Sequence, residues 1–103
     1  EWSGLQEYIT LNLARDIGRD EIAAAAGLQP AAVSRRIRSQ SGMTLREYLN
    51  AARLSYARCL LAETELTIEE IARQSGYRYA NYFIRAYRKA FGSSPGAERA
   101  ATH

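Results

Sequence analysis

The sequence predicts an all-α chain of about seven helices, and three observations carry that prediction. Only two of the 103 residues are proline, β-branched residues are few, and Ala, Leu, Arg and Glu are plentiful; this balance favours helix over strand. Helix starts and stops recur along the chain, with Pro30, Thr44, Thr67 and Ser94-Pro95 as starts and Gly27 and Gly76 as stops. Finally, one phrase is used twice. Ile22-Ala23-x3-Gly27 leads to Arg35-Arg36-Ile37-Arg38 and Gly42, and Ile71-Ala72-x3-Gly76 leads to Arg85-Ala86-Tyr87-Arg88 and Gly92. The copies are offset by 49 residues at the Ile-Ala end and 50 at the Arg end. The extra residue falls in the loop after the Gly, where length changes are tolerated. Two copies make a duplicated supersecondary element within one domain, since a solenoid needs three or more repeats to bury a core.

Helix 1 is expected over Leu5 to Ala14, with Leu5, Tyr8, Ile9 and Leu13 on one stripe. Asp16, Ile17 and Gly18 then form a loop. Helix 2 runs from Arg19 to Ala26, with Asp20 and Glu21 in its first turn, where the helix dipole favours acids. Gly27 takes the position after the last turn that commonly needs a positive φ. Helix 3, about 30–40, starts on Pro30, whose missing N–H costs nothing there. A long linker helix, about 45–62, opens at Thr44 with Glu47 three residues on. It is a rod of roughly 27 Å, with Leu45, Tyr48, Leu49 and Ala52 serving one neighbour and Leu54, Ala57, Leu60 and Leu61 another. Helix 5 opens with the capping box Thr67-Ile68-Glu69-Glu70 and ends near Ser75. Helix 6 covers 79–91. A last short helix starts at Ser94-Pro95, and the tail from Ala100 to His103 is expected to be disordered.

Several function classes fall away on composition. No apolar run approaches the ~18 to 20 residues of a membrane span, and no basic segment followed by an apolar run marks a signal peptide. The single cysteine, Cys59, excludes an internal disulfide and a Cys-based zinc site, which fits a reducing cytoplasmic setting. The single histidine, His103, is terminal, so a catalytic triad or a Cys-His pair would have to recruit the last residue of the chain, and catalysis of this kind is not expected. No enzyme, metal or cofactor is expected. The chain opens Glu1-Trp2-Ser3-Gly4 without Met, which points to a piece of a longer protein.

Net charge is only +3, but its distribution is informative. Residues 29–42 and 77–91 hold seven of the fourteen Lys+Arg and none of the eleven Asp+Glu. They therefore carry +7, and the remainder of the chain −4. Cations gathered on the two repeated elements (Arg35, Arg36 and Arg38, then Arg78, Arg85, Arg88 and Lys89) form the footprint expected for docking on phosphates.

On helix 3, Val33 and Ile37 point inward, while Ala31, Ser34, Arg35 and Arg38 share the opposite face. On helix 6, Phe83, Tyr87 and Ala90 are expected inward and Asn81, Ile84, Arg85 and Arg88 outward. Two helices joined by a tight Gly turn, the second bearing Arg outward, read as a helix-turn-helix unit. The fork of arginine suits guanine O6 and N7, and Asn suits adenine N6 and N7. Arg35, Arg85 and Asn81 are thus the candidate base readers, Ser34 is adaptable, and Ile84 offers an apolar contact for a thymine methyl. Arg38, Arg88 and Lys89, one turn on, suit phosphates, as does Arg36 on the flank of its helix. One such helix alone would read as an ordinary solvated face; two with matched arginines and matched apolar positions argue for an interface. The alternative is a helical protein-interaction module whose outward faces bind an acidic partner.

Three runs then carry a resemblance: Arg53-Leu54-x2-Ala57-x2-Leu60-Leu61, Ile68-x2-Ile71-Ala72-x3-Gly76-Tyr77, and Tyr82-Phe83-x-Arg85-x-Tyr87-Arg88-Lys89-x-Phe91-Gly92-x-Ser94-Pro95. The sequence resembles the AraC/XylS family of bacterial transcription regulators from about Leu5 to Arg99. The resemblance implies two homeodomain-like helix-turn-helix subdomains, about 5–43 and 66–99, joined by the linker helix, together making one DNA-binding domain. It implies that helices 3 and 6 read successive major-groove segments of double-stranded promoter DNA. Ala31, Ser34, Arg35, Ala80, Asn81, Ile84 and Arg85 would be base-facing. It further implies an effector or dimerisation domain outside this fragment, while RNA polymerase is a candidate partner as the acidic protein of the alternative reading. Gln29 stands where the family usually has a Ser cap, Ser75 and Ser93 where apolar residues are general, and Glu98 where an aromatic is common. A weaker start of helix 3 and looser packing of the second subdomain and final helix are therefore expected.

Overall fold

The structure, a computed structural model, describes residues 2–102. Among these are seven α-helices and no strand: α1 (Trp2–Leu11), α2 (Arg19–Ala26), α3 (Pro30–Ser41), α4 (Leu45–Glu63), α5 (Ile68–Gln74), α6 (Ala80–Phe91) and α7 (Pro95–Thr102). The chain divides into two compact units, with the boundary between Ala52 and Arg53 inside α4.

The first unit closes on Leu5, Ile9, Leu13, Ile17, Ile22, Ala23, Val33, Ile37 and Leu49, with Tyr8, Leu45, Tyr48 and Ala52 packed around them. The second closes on Leu54, Ala57, Leu61, Ile71, Ala72, Phe83 and Tyr87, flanked by Leu60, Tyr77, Ala80, Ala86 and Phe91. The two stripes read on α4 serve these two cores. α1 ends three residues earlier than its stripe suggested, so Leu13 enters the core from a turn and Ile17 from the loop that follows.

The repeated Ile-Ala-x3-Gly phrase has one structural meaning in both copies. Ile and Ala are buried, and the chain then stops in a Schellman motif. In α2 the N–H of Leu28 donates to Ala23 O at 2.9 Å and that of Gly27 to Ala24 O at 3.4 Å. After α5 the N–H of Tyr77 donates to Ala72 O at 2.9 Å and that of Gly76 to Arg73 O at 3.1 Å. The glycines stand at φ +70° and +95°, the left-handed region that side chains with a Cβ resist. Each copy thereby turns its chain sharply into the helix that carries the arginines.

Starts are fixed by side chains. Glu47 N–H donates to Thr44 Oγ1 at 3.2 Å while Thr44 N–H donates to Glu47 Oε1 at 3.0 Å. Thr67 and Glu70 repeat the exchange at 3.1 and 2.8 Å. Ser94 Oγ accepts from Ala97 N–H at 3.1 Å. The backbone and side-chain hydrogen bonds with Thr67 hold the Glu70 carboxyl below the usual carboxylate range. That cap is fully formed above the ordinary carboxylate pKa and is lost as pH falls through Glu70's depressed value. Thr67→Ala is expected to cost about 1 kcal/mol in urea unfolding at neutral pH, and less in acid.

The tail behaves differently from expectation. α7 continues to Thr102, and of the tail His103 alone lies outside the described residues. Nor is the last helix loosely held. Glu98 meets Arg58 of α4 at 3.1 Å, and Arg99 donates to backbone carbonyls of Leu61, Thr64 and Leu66. Polar ties replace the apolar ones the family would use. Ser75 is the costlier substitution: it is fully buried and its hydroxyl has no hydrogen-bond partner. The first copy carries Ala26 at the same place. Ser75→Ala is expected to raise stability by about 1 kcal/mol, since an unpaired buried hydroxyl is removed without leaving a cavity; a urea midpoint that stays put or falls would contradict this.

Candidate nucleic-acid interface

α3 and α6 are built alike. Each follows its Gly turn, begins from an extended N-cap residue, Gln29 or Tyr79, with no side-chain cap, and ends at a glycine in the left-handed region. On α3, Pro30 supplies the first turn in place of a cap. Val33 and Ile37 are fully buried, which fixes the rotation of the helix. That rotation leaves Ala31, Arg35 and Arg38 exposed, with Ser34 and Arg36 half-buried. Ser34, Arg35 and Arg38 line one open groove of about 660 Å³ with Ser39, Thr44 and Leu45.

α6 is anchored by a ladder of rings. Centroids lie 5.3 Å apart for Tyr77 and Phe83, 5.7 Å for Phe83 and Tyr87, and 4.6 Å for Tyr87 and Phe91, in the tilted and edge-on geometries that aromatic quadrupoles favour. Arg58 caps the ladder, its guanidinium 4.4 Å from the Phe91 centroid. Burial first, and the Glu98 carboxyl beside it, push the Tyr87 phenol well above its ordinary pKa, so this ring stays neutral beneath the helix. The outer face presents Asn81, Ile84, Arg85, Arg88 and Lys89, all exposed.

Two expectations on α6 need correction. Ala90 is exposed, because the packed stripe is centred on Tyr87 and closed by Phe91, which leaves Ala90 at its edge in the last turn. Ala80 is half-buried against the second core. Its small side chain packs against that core, so its free surface is limited.

Arg78 is exposed just before α6. With Tyr79, Ala80 and Asn81 it lines a cavity of about 340 Å³, shared with Glu69, Ala72, Arg73 and Tyr77. Arg73 was not among the residues singled out from sequence. Its signal was a basic residue in the last turn of α5, without a counterpart in the first copy, where Ala24 stands. Among the described residues, none of the cations on α3, α6 or Arg78 forms an ion pair, whereas Arg15 pairs with Glu21 at 2.5 Å and Arg58 with Glu98 at 3.1 Å. Guanidiniums left without carboxylates keep their charge available to an anionic partner. The Arg15 pair belongs to the scaffold: Tyr8 also donates to Glu21 at 2.9 Å, and these contacts hold Glu21 below the usual carboxylate range. No helix among the described residues is long and apolar enough to cross a membrane.

Known proteins share this arrangement. A helix-turn-helix domain model matches residues 22–101. The transcriptional activator NphR of Rhodococcus sp is 38% identical over 96 residues, 92% of this chain and 28% of that protein. The chain spans about a third of the length of the curated relatives it matches. The DNA-binding domain of AdpA, solved in complex with a target DNA, superposes with a TM-score of 0.88 at 27% identity, covering 96% of this chain and 89% of that one. A transcriptional regulator from Chromobacterium violaceum with an AraC-type DNA-binding domain gives 0.89 at 26% identity, covering 95% and 88%. With its duplicated unit, its two Gly-turned arginine helices and these relatives, the chain belongs to the AraC-type helix-turn-helix family.

Proposed function

We propose that the chain is the sequence-specific DNA-binding part of a bacterial transcription regulator, with subdomains about 5–43 and 66–99 on either side of the linker helix, and that it lays α3 and α6 into successive major-groove segments. The observation that carries this reading is the pair of exposed, acid-free faces, each mounted on a buried apolar face by the same Schellman turn. Arg35, Arg85 and Asn81 read base edges, Ser34 adapts, Ile84 meets a thymine methyl, and Ala31 lets the backbone approach closely. Ala80 contributes only at its free edge. Arg36, Arg38, Arg78, Arg88 and Lys89 hold phosphates and set the register. The DNA complex of AdpA supports this use of the fold. NphR, a relative, is named a transcriptional activator, and an activator's need to engage the transcription machinery makes RNA polymerase our second proposed partner.

The test is a salt titration on a duplex selected from a random pool. With five phosphate contacts, log K is expected to fall against log salt with a slope of about −4 to −5. Lys89→Ala should flatten that slope by about 1 while leaving sequence preference intact. Affinity that does not change with salt would overturn the reading. A module for an acidic protein partner would instead bind no selected duplex and would tolerate Asn81→Ala.

A further inference from the structure

Tyr79 and Tyr82 are 62% and 61% exposed, an unusual investment of large rings on the first turns of a polar helix face. Neither belongs to the ring ladder that anchors α6. Tyr82 has a contact of its own, for the Arg85 guanidinium carbon lies 5.9 Å from its ring centroid, one turn along the helix. That is within the reach of a cation–π interaction. No carboxylate competes for this guanidinium among the described residues, since Arg85 is in no ion pair. Arg35 occupies the matching place on α3, where the residue three before it is Ala32; no ring is available there.

We infer that Tyr82 is a positioning residue for Arg85: its ring face holds the guanidinium over the helix surface and orders the fork that reads a base. The inference rests on the proposed DNA-binding reading. A free arginine must freeze several side-chain rotors to make a bidentate contact, and a guanidinium already ordered loses less freedom on binding. The ring supplies that order without consuming the fork's N–H donors, because a π face attracts the cation electrostatically and takes no in-plane hydrogen bond. A carboxylate at the same place would order Arg85 too, but it would occupy those donors and repel phosphate.

A binding cycle tests this, using the duplex selected by the parent chain and its single-base variants. Parent, Tyr82→Phe, Tyr82→Ala, Arg85→Ala and the Tyr82→Ala/Arg85→Ala double variant are compared, with circular dichroism confirming the fold of each. Tyr82→Phe is expected to bind as the parent does, because phenylalanine keeps the π face. Tyr82→Ala should weaken binding roughly two- to fivefold and reduce discrimination at the same base pair that Arg85→Ala relaxes. In the Arg85→Ala background, removing the ring should cost nothing further. An equal loss in both backgrounds would overturn the inference, as would Tyr82→Phe losing as much as Tyr82→Ala, which would make the hydroxyl and not the ring face the contributing group. A neutral Arg85→Ala would overturn it as well, while selective binding by the parent would still uphold the DNA reading. Failure of the parent to select any duplex would instead sink that reading.

Discussion

Arg99→Ala is expected to destabilise the second unit by about 2 to 4 kcal/mol. α4 ends at Glu63, and its last carbonyls have no helical donor ahead of them. The Arg99 guanidinium reaches one of them from α7, donating to Leu61 O at 3.3 Å, and goes on to Thr64 O at 3.1 Å and Leu66 O in the segment that follows α4. A cation at this end also opposes the negative pole of the α4 dipole. Hydrogen bonds to a charged group contribute about 1.5 to 3 kcal/mol each, though three made by one fork do not add in full. Truncation also leaves half-buried carbonyls unpaired. In urea the midpoint should fall with an unchanged m value, the mark of lost stability without a changed denatured state. Arg99→Lys should recover less than half of the loss, because one ammonium cannot span three divergent acceptors. A midpoint within error of the parent for Arg99→Ala would show that α7 contributes little to this unit.

That contact was out of reach of the sequence, and the reason is physical. Its partners lie 33 to 38 residues away, and nothing in the local spacing of Arg99 distinguishes a helix-end clamp from a frayed tail. What the sequence displayed well were decisions made within four or five residues. Thr44, Thr67 and Ser94 start helices through bonds to their own neighbours, and Gly27 and Gly76 stop them through their own φ. The α4 stripes were legible because burying a wide apolar face is the dominant gain for any helix. At the edges of a stripe the outcome depends on the neighbouring element. Ala80 turned out covered and Ala90 open for that reason, and Ile17 was drawn into the core from a loop that has no period to read. The candidate interface was legible to a similar depth. Exposure of Asn81, Arg85 and Arg35 followed from the helical period, whereas the ring beside Arg85 and the place of Arg73 in the Arg78 cavity required coordinates.

Replacing Arg35 and Arg85 together by Ala is expected to cost about 2 to 6 kcal/mol in binding to a selected duplex, the sum of about 1 to 3 for each bidentate reader. The two losses should be close to additive, because the residues sit in different units with separate cores and share no side-chain partner. They should not be equal. The Arg85 guanidinium lies 5.9 Å from the Tyr82 ring centroid, and Asn81 and Ile84 are exposed on the same helix, whereas Arg35 shares its groove with Ser34 and Arg38 and has no ring at the matching place. Arg85→Ala is therefore the costlier single change. Fluorescence anisotropy against the selected duplex and its single-base variants separates the two roles of each side chain. A base reader, when removed, relaxes preference at one base pair; a phosphate contact, when removed, weakens every duplex alike and lowers the salt slope. If both variants weakened all duplexes equally, both arginines would be backbone anchors, and sequence would have to be read by Asn81, Ser34 and Ile84 alone. Those three offer at most one bidentate pair among them, too little to single out a site against the rest of a genome. On the proposed reading, direct readout of a site therefore depends on at least one of the two arginines reaching a base.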